Sequence, residues 1–212
     1  IAGGVSTDLL PKYPRVDGIV ALGHGSGCCL PPGSEGMRYL QRVLGGYTRN
    51  PNFAAVLLVG LGCEVNLTDC LLENMNLIEG PQLKTLNIQA SGGSQQTIRL
   101  GVEALETMLR AANRATRQTV SAKHIKLGLE CGGSDGYSGI SANPALGAAV
   151  DTLVRHGGTA ILSETPEIYG AEHLLTRRAA TTAAGDKLLK HIRWWEKYTE
   201  HMGAEINNNP SP

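Results

Sequence analysis

The chain has 212 residues, enough to bury a substantial core in one large domain or in two smaller lobes. Its 19 basic and 19 acidic residues cancel, so the charge balance gives no indication of a nucleic-acid or membrane partner. The longest apolar stretch, Ala54 to Cys63, is far shorter than the roughly 20 residues that cross a bilayer, and we expect no membrane span.

Five short runs of aliphatic and β-branched residues predict strands that are buried on both faces. They are Gly18–Gly23, Ala54–Leu61, Leu83–Gln89, His124–Cys131 and Thr159–Glu164. Between them, apolar residues recur at the spacing of amphipathic helices. This alternation predicts an α/β fold that is Rossmann-like, with mostly parallel sheets and helices on both faces.

The predicted helices carry recognisable end signals. Ser34, Ser94 and Asn143 are placed to cap the amino ends of three of them, and Asn66 can cap a fourth. A final helix is predicted from about residue 184 to residue 202, with its two tryptophans packed into a core or between lobes.

A polar connection over residues 113–123 indicates two lobes. The first would cover residues 1–115 and carry the loops HGSGC and GLGCE. The second would cover residues 118–212 and carry the loops ECGGSDGYSG and SETPE. The segments VALGHGSGC and LGLECGGSDG share a strand followed by a glycine-rich cysteine loop, which hints at an internal duplication.

Three of these loops place a cysteine just beyond a predicted strand, at Cys28, Cys63 and Cys131. A fourth strand end carries Ser163 and Glu164. Parallel strands share one carboxyl edge, so we expect these groups to converge on a single crevice. The separations of 35 and 68 residues between successive cysteines match about one and two strand–helix–strand units.

The first two loops carry metal-ligating side chains, namely His24 and Cys28, then Cys63 and Glu64. Imidazole and thiolate suit a borderline divalent ion such as Fe(II) or Zn. For His24 and Cys28 the alternative is a tight turn with a structural cysteine. For Glu64 the alternatives are a catalytic base and a structural carboxylate that is stabilised by the dipole of the next helix.

The segment 129–144 concentrates hydrogen-bonding groups on a glycine-rich loop. Such a loop could coordinate a hydroxylated acid, with Asp135 or Tyr137 available for proton transfer. Glu164 and Glu167 could hold a cation or act as acid and base. The residues assigned to substrate binding are Ser26, Gly132, Gly133, Ser134 and Ser138.

The segment 129–179, together with HGSGC, VGLGCEVN and the closing NNNPSP, closely resembles the altronate/galactarate dehydratase family. The resemblance runs over essentially the whole chain. It implies a bacterial hydro-lyase that requires iron(II) and converts a sugar acid to a 2-keto-3-deoxy acid. A related branch eliminates sulfite from sulfolactate. The run SETPEIYGAEHLLTRRA is more similar to the galactarate branch than to the altronate one.

The resemblance also implies roles for the candidate residues. The metal-side set is His24, Cys28, Cys63, Glu64 and Cys131. Ser134, Asp135 and Tyr137 would face the substrate, and Glu164 and Glu167 are the acid or base candidates. The three thiols could instead hold an iron–sulfur cluster, and another divalent metal is a further alternative. The rival from another class is a non-catalytic module that binds a small acid.

Family members extend beyond both ends of this segment. The chain begins at Ile1 rather than Met, and we expect an internal fragment that is inactive without the remaining domains. The five cysteines, an odd number, fit reduced thiols, so we expect a cytoplasmic location. The expected partners are a sugar acid and the other domains of the full-length chain. We expect no nucleic-acid or membrane partner, and homo-oligomerisation is left open.

Overall fold

A computed structural model describes residues 2–3, 5, 9–26, 28–133 and 135–207. The chain divides into two compact units, Ile1–Arg117 and Gln118–Pro212. Each unit contains one pair of parallel strands. The predicted α/β class with parallel pairing is therefore confirmed. None of the described helices is both long enough and apolar enough to cross a membrane.

The first unit is built around strands β1 and β2. Its elements in chain order are a 3-10 turn Leu10–Lys12, α1 Glu35–Thr48, β1 Val56–Gly60, α2 Thr68–Asn74, β2 Leu83–Asn87 and α3 Ser94–Ala112. The strands pair from Val56 opposite Leu83 to Gly60 opposite Asn87. Both strands thus end at the same edge, which we call the carboxyl edge.

Helix α1 begins as its sequence predicts. The Ser34 hydroxyl accepts the backbone N–H of Met37 at 3.2 Å, satisfying a donor that has no partner inside the helix. Its buried face includes Gly45, where an added Cβ would lie 2.7 Å from the terminal methyl carbon of Met75. Glycine at this position lets the chain after α2 pack directly against α1.

A buried amide network joins α1 to α2. The Gln41 side chain donates to Asn66 Oδ1 at 3.0 Å and accepts from Asn74 Nδ2 at 3.2 Å. Gln41 and Asn66 are both buried, so each amide depends on the other for its hydrogen bonds. The predicted capping role of Asn66 is wrong, because Leu67 is the residue before α2 and Asn66 points into this network.

The amino-terminal segment packs on α3. Val5, Tyr13 and Leu109 form a buried cluster, with neighbouring aliphatic residues of both elements around it. The backbone N–H of Arg15 donates to Asn113 Oδ1 at 2.9 Å, at the carboxyl end of α3. This hydrogen bond connects Arg15 to the end of α3 in addition to the apolar contacts of the cluster.

The second unit is built around strands β3 and β4, paired from Lys126 opposite Thr159 to Leu129 opposite Leu162. Its elements are a 3-10 turn Ala122–His124, β3 Lys126–Leu129, α4 Ala142–Arg155, β4 Thr159–Leu162, a 3-10 turn Thr165–Ile168, α5 Glu172–Thr176 and α6 Thr182–His201. Helix α4 ends at a glycine pair, where Gly157 has a φ of 84° and Gly158 donates to the Leu153 carbonyl at 3.0 Å.

Several sequence-based expectations are wrong. Gly18–Gly23 forms no strand, and Val20 and Leu22 in it are 65% and 52% exposed. An apolar run becomes a strand only beside a partner, and no described strand pairs with this one. The expectation of strands buried on both faces is also wrong, because β1, β3 and β4 contain no buried residue and each strand has only one strand beside it in its two-stranded sheet.

Two helix starts and one packing role also differ from expectation. Helix α3 is preceded by Gly93, so Ser94 is its first residue and does not cap it. Helix α4 begins at Ala142, one residue before Asn143. In α6 the buried residues are Gly185 and Ile192, whereas Trp194 is 51% exposed and stacks on Tyr198 at a centroid distance of 5.1 Å.

We predict that Gln41→Ala lowers the free energy of unfolding by about 2 kcal/mol, because it leaves the buried amide of Asn66 without its partner and creates a small cavity. Thermal or urea unfolding of the full-length protein measures this loss. The matched control is Gln96→Ala on the exposed face of α3. An equal effect of both substitutions would show that the network contributes nothing specific.

Candidate functional site

The carboxyl edge of the second unit brings together residues that are far apart in sequence. Leu129 and Leu162 lie opposite each other, and Ser163 extends the pairing through its backbone N–H and its hydroxyl, both donated to the Leu129 carbonyl. The next residues therefore meet across the edge. The backbone N–H of Cys131 donates to Glu164 Oε2 at 2.5 Å, although 33 residues separate them.

A 3-10 turn adds a second carboxylate at the same place. Glu164 precedes the turn Thr165–Ile168, which has Pro166 near its start. The Glu167 N–H donates to the Glu164 carbonyl at 3.2 Å, so the two residues are separated by one turn of three residues. Side chains three apart eclipse in a 3-10 helix, which places both carboxylates on one side.

Cys131, Glu164 and Glu167 form what we call the acidic thiol cluster. The Cys131 sulfur and one carboxylate oxygen from each glutamate all lie within 4.8 Å of one another. Sulfur and oxygen ligands of one tetrahedral ion lie about 3.5 Å apart, so side-chain movements of about 1 Å would close this cluster around a cation. It is the one such group of three or more potential ligands within the described residues.

The donor set is one thiol and two carboxylates. Soft sulfur combined with hard oxygen suits a borderline divalent ion such as Fe(II) or Zn. Cys131 and Glu164 are half-buried and Glu167 is exposed, so the cluster is open to small molecules on one side. The donor set therefore fits the iron(II) that the resemblance implies.

The loop after Cys131 is organised by Asp135. Its Oδ1 accepts the N–H groups of Tyr137 and Ser138 at 2.7 and 2.9 Å, and the Ser138 hydroxyl donates to the Asp135 carbonyl at 2.7 Å. These bonds define an Asx turn, in which one carboxylate oxygen is engaged. Tyr137 is 81% exposed, which leaves its phenol accessible to a ligand.

The remaining predicted substrate residues on this loop are Gly132 and Gly133, which are exposed. Ser134 lies outside the described residues. Their predicted contacts with a substrate stay predictions.

The carboxyl edge of the first unit carries a different cluster. Pairing continues beyond β2, with the N–H groups of Ile88 and Gln89 donating to the carbonyls of Gly60 and Leu61 at 2.9 and 3.1 Å. This register places the Gln89 side chain beside the loop that follows β1. The Gln89 amide donates to the Cys63 sulfur at 3.3 Å.

The Glu64 side chain stabilises the loop that follows β1 through hydrogen bonds to its backbone. Its carboxylate accepts the backbone N–H groups of Leu61 at 2.8 Å and Gly62 at 2.5 Å. Burial alone would raise the pKa of Glu64, but these hydrogen bonds and the nearby charge of His24 oppose it, and the net pKa is lowered. The carboxylate therefore remains charged and holds the turn.

Asn87 and Gln89 are functional candidates that the sequence reasoning missed. Both side chains approach Gly62, whose φ of 117° favours glycine. A Cβ at that position would lie 2.6 Å from Asn87 Oδ1 and 2.8 Å from Gln89 Oε1. The signal was available, because both residues lie at the end of a predicted strand, where the same edge rule applies as for the cysteines.

The structure brings together some predicted residues and not others. It joins Cys131 with Glu164 and Glu167, and it brings His24 near Glu64. Cys28 and Ser26 are exposed in the first unit. The predicted metal set of His24, Cys28, Cys63, Glu64 and Cys131 is divided between the two units and stays a prediction.

Both units match known protein families. Residues 1–113 match the family described as D-galactarate dehydratase/altronate hydrolase, second domain. Residues 122–212 match the family described as D-galactarate/altronate dehydratase, C-terminal.

Individual relatives are similar over nearly the whole chain. The altronate dehydratase of Bacillus subtilis is 33% identical over 99% of this chain, and the galactarate dehydratase (L-threo-forming) of Escherichia coli is 36% identical over 98%. The altronate dehydratase of Escherichia coli is 34% identical over 92%. This chain spans only 42%, 41% and 39% of these relatives, respectively.

We predict that Glu64→Gln destabilises the protein by about 1 kcal/mol at pH 7, since the two backbone N–H groups bond to different carboxylate oxygens and the amide replaces one of these with an NH2 donor. Folding lowers the pKa of Glu64 from its ordinary value of 4.5, so its contribution is present above that value and is lost as the pH falls through the folded pKa. The stability difference between wild type and variant should therefore shrink in acid.

Thermal unfolding at pH 7 and below pH 4.5 measures both effects. The control is Glu73→Gln, which changes an exposed carboxylate on α2. A difference that is independent of pH would argue against the anchoring role of Glu64.

Proposed function

This chain belongs to the D-galactarate dehydratase/altronate hydrolase family, as its loop segments predicted, and we propose that the full-length protein is a hydro-lyase acting on a sugar acid. The reaction would remove water from galactarate or altronate and yield a 2-keto-3-deoxy acid. The observation that carries the proposal is the acidic thiol cluster at a strand-end edge of a chain with this family membership. The identities of 33 to 36% do not separate the two substrates.

The chemistry requires a proton to leave a carbon beside a carboxylate and a hydroxide to leave the neighbouring carbon. The carbon acid is weak, so a base and a stabilising positive charge are both needed. A bound Fe²⁺ would supply that charge and polarise the substrate carboxylate. An acid must then protonate the departing hydroxyl.

We assign Cys131, Glu164 and Glu167 to holding this ion. The N–H of Cys131 fixes one oxygen of Glu164, which keeps its carboxylate beside the thiol. The 3-10 turn keeps Glu167 on the same side, with its carboxylate exposed toward an incoming ligand. For Glu164 and Glu167 the sequence left both cation binding and acid–base chemistry open, and this proposal gives them the metal-binding role.

Proton transfer falls to the loop that follows the cluster. Tyr137 offers an exposed phenol, and Asp135 retains one carboxylate oxygen that is free of the turn's backbone bonds. Ser138 is held by Asp135 and would contribute to positioning the substrate. These groups complete the set that the elimination needs within one unit.

The alternatives differ in what they ask of the same residues. An iron–sulfur cluster needs several thiolates, whereas the observed group offers one thiol and two carboxylates, which favours a single ion. A non-catalytic module for small acids has no need of an open, mixed-ligand cluster. Elimination of sulfite from sulfolactate stays the alternative reaction. The proposal of a sugar-acid hydro-lyase includes a cytoplasmic location, which we expect from the reduced cysteines.

We predict that Cys131→Ser in the full-length protein, purified without oxygen, lowers the iron content at least several-fold and reduces turnover in proportion. Glu167→Gln should act in the same direction, because it removes one charged ligand. Metal analysis and a dehydratase assay measure the two effects, and circular dichroism confirms folding. The control is Cys70→Ser, which alters an exposed thiol on α2. Unchanged iron in the Cys131 and Glu167 variants would exclude the cluster as the metal site.

We also predict that the iron-loaded full-length protein forms a 2-keto acid from galactarate or from altronate. Parallel incubations with galactarate, altronate and sulfolactate, with detection of 2-keto acid and of sulfite, distinguish the branches. Sulfite from sulfolactate without any 2-keto acid from the sugar acids would replace this proposal with the alternative reaction.

A further inference from the structure

We propose that the cavity between helices α1 and α2 of the first unit binds a small organic anion, with Arg38 and Arg42 as its charge partners. We call it the arginine cavity, and its lining also includes Gln41, Cys70 and Asn74. It shares no residue with the acidic thiol cluster, so this inference goes beyond the proposed function and does not depend on it.

The arginine cavity has the size and the walls of a small-molecule site. Its volume is about 460 Å³, within the range of roughly 300 to 1,000 Å³ that ligand pockets occupy. Met37, Val65 and Met75 supply apolar walls, while the polar groups come from α1 and α2. Apolar walls with a few polar groups that orient the ligand are typical of such sites.

Two positive charges on α1 line this cavity. Arg38 and Arg42 are four residues apart, which places their side chains on one face of the helix. Arg38 donates to the Gly33 carbonyl at 2.8 Å, which holds its guanidinium and leaves further N–H groups for a ligand. Among the described residues, no carboxylate pairs with either arginine and no acidic side chain lines the cavity. The two charges are therefore not neutralised within the described part of the chain.

The chemistry of the guanidinium groups indicates the class of ligand. A guanidinium binds a carboxylate or a phosphate through two parallel hydrogen bonds, and it repels a cation. Two guanidiniums at one cavity suit a dicarboxylate or a phosphate group, because each offers several acceptor oxygens. The apolar walls suit a carbon skeleton better than a bare inorganic ion. We therefore expect an organic anion whose charged group contacts the arginines.

The buried part of the cavity is held in place before a ligand arrives. Gln41 is buried, its Nε2 donates to Asn66 Oδ1 at 3.0 Å, and its Oε1 accepts from Asn74 Nδ2 at 3.2 Å. Preorganised groups lose little conformational entropy on binding. An anion in this cavity would contact side chains of both α1 and α2, and binding would therefore stabilise the packing of these helices.

The test uses the thiol of Cys70, an exposed side chain of α2 that lines the cavity and reports on its occupancy. Full-length protein is treated with N-ethylmaleimide, a neutral reagent, and alkylation of Cys70 is followed by peptide mass spectrometry. We expect saturating succinate or phenyl phosphate to slow this alkylation about fivefold or more, because a bound ligand covers most of the cavity wall. The two ligands distinguish a carboxylate site from a phosphate site.

The controls separate recognition of charge from other effects. Succinamide, the neutral counterpart of succinate, and sodium chloride at equal ionic strength should not protect Cys70. Arg42→Gln should raise the concentration of anion needed for protection about tenfold, because a charged hydrogen-bonding group is lost. The matched control is Arg99→Gln, the same substitution on an exposed residue of α3 outside the cavity. Circular dichroism confirms that both variants fold.

Several results would overturn the anion site. Equal alkylation of Cys70 with and without either anion would do so, as would equal protection by succinamide. Protection that is unchanged in Arg42→Gln would place the anion elsewhere. A Cys70 thiol that does not react in the full-length protein without ligand would also overturn the site, because the cavity would then be closed to small molecules.

Discussion

In each unit the two parallel strands end at the same edge, and this pairing decides which residues can act together. Gly60 lies opposite Asn87 in one unit, and Leu129 lies opposite Leu162 in the other. The residues that follow a pair of strand ends are therefore neighbours, whatever their separation in sequence. The contact between Cys131 and Glu164 depends on this register, because a slip by one residue would turn the side chains to the other face.

The two edges share a plan but differ in chemistry. In both, a cysteine after the first strand is hydrogen-bonded to a residue after the second, Gln89 for Cys63 and Glu164 for Cys131. The first partner is a neutral amide and the second a carboxylate. A neutral amide suits neutral polar ligands, whereas a carboxylate beside a thiol suits a cation.

Much of this arrangement could be predicted from sequence because it depends on local patterns. Four of the five predicted strands form, and the Ser34 cap appears where expected. The convergence of Glu164 with Cys131 followed from a general rule for parallel sheets. That rule needed only the positions of the strand ends.

The remaining features depend on partners that a local pattern does not reveal. Gly18–Gly23 has strand-like composition but no strand beside it among the described residues, so it stays irregular. Asn66 looked like a helix cap and instead serves a buried amide of α1. Gln89 resembles an ordinary polar residue until the register places it against Cys63. In each case the deciding interaction comes from a distant segment.

The close contact between Gly45 and Met75 makes the first unit vulnerable to peroxide. Met75 is only half-buried, so an oxidant can reach its thioether. Its sulfoxide would be bulkier and polar at a point where its methyl carbon already lies 2.7 Å from the place of a Gly45 Cβ. Oxidation there would push α1 away from α2 and separate the side-chain amides of Gln41 and Asn74, so one thioether controls how closely these two helices pack.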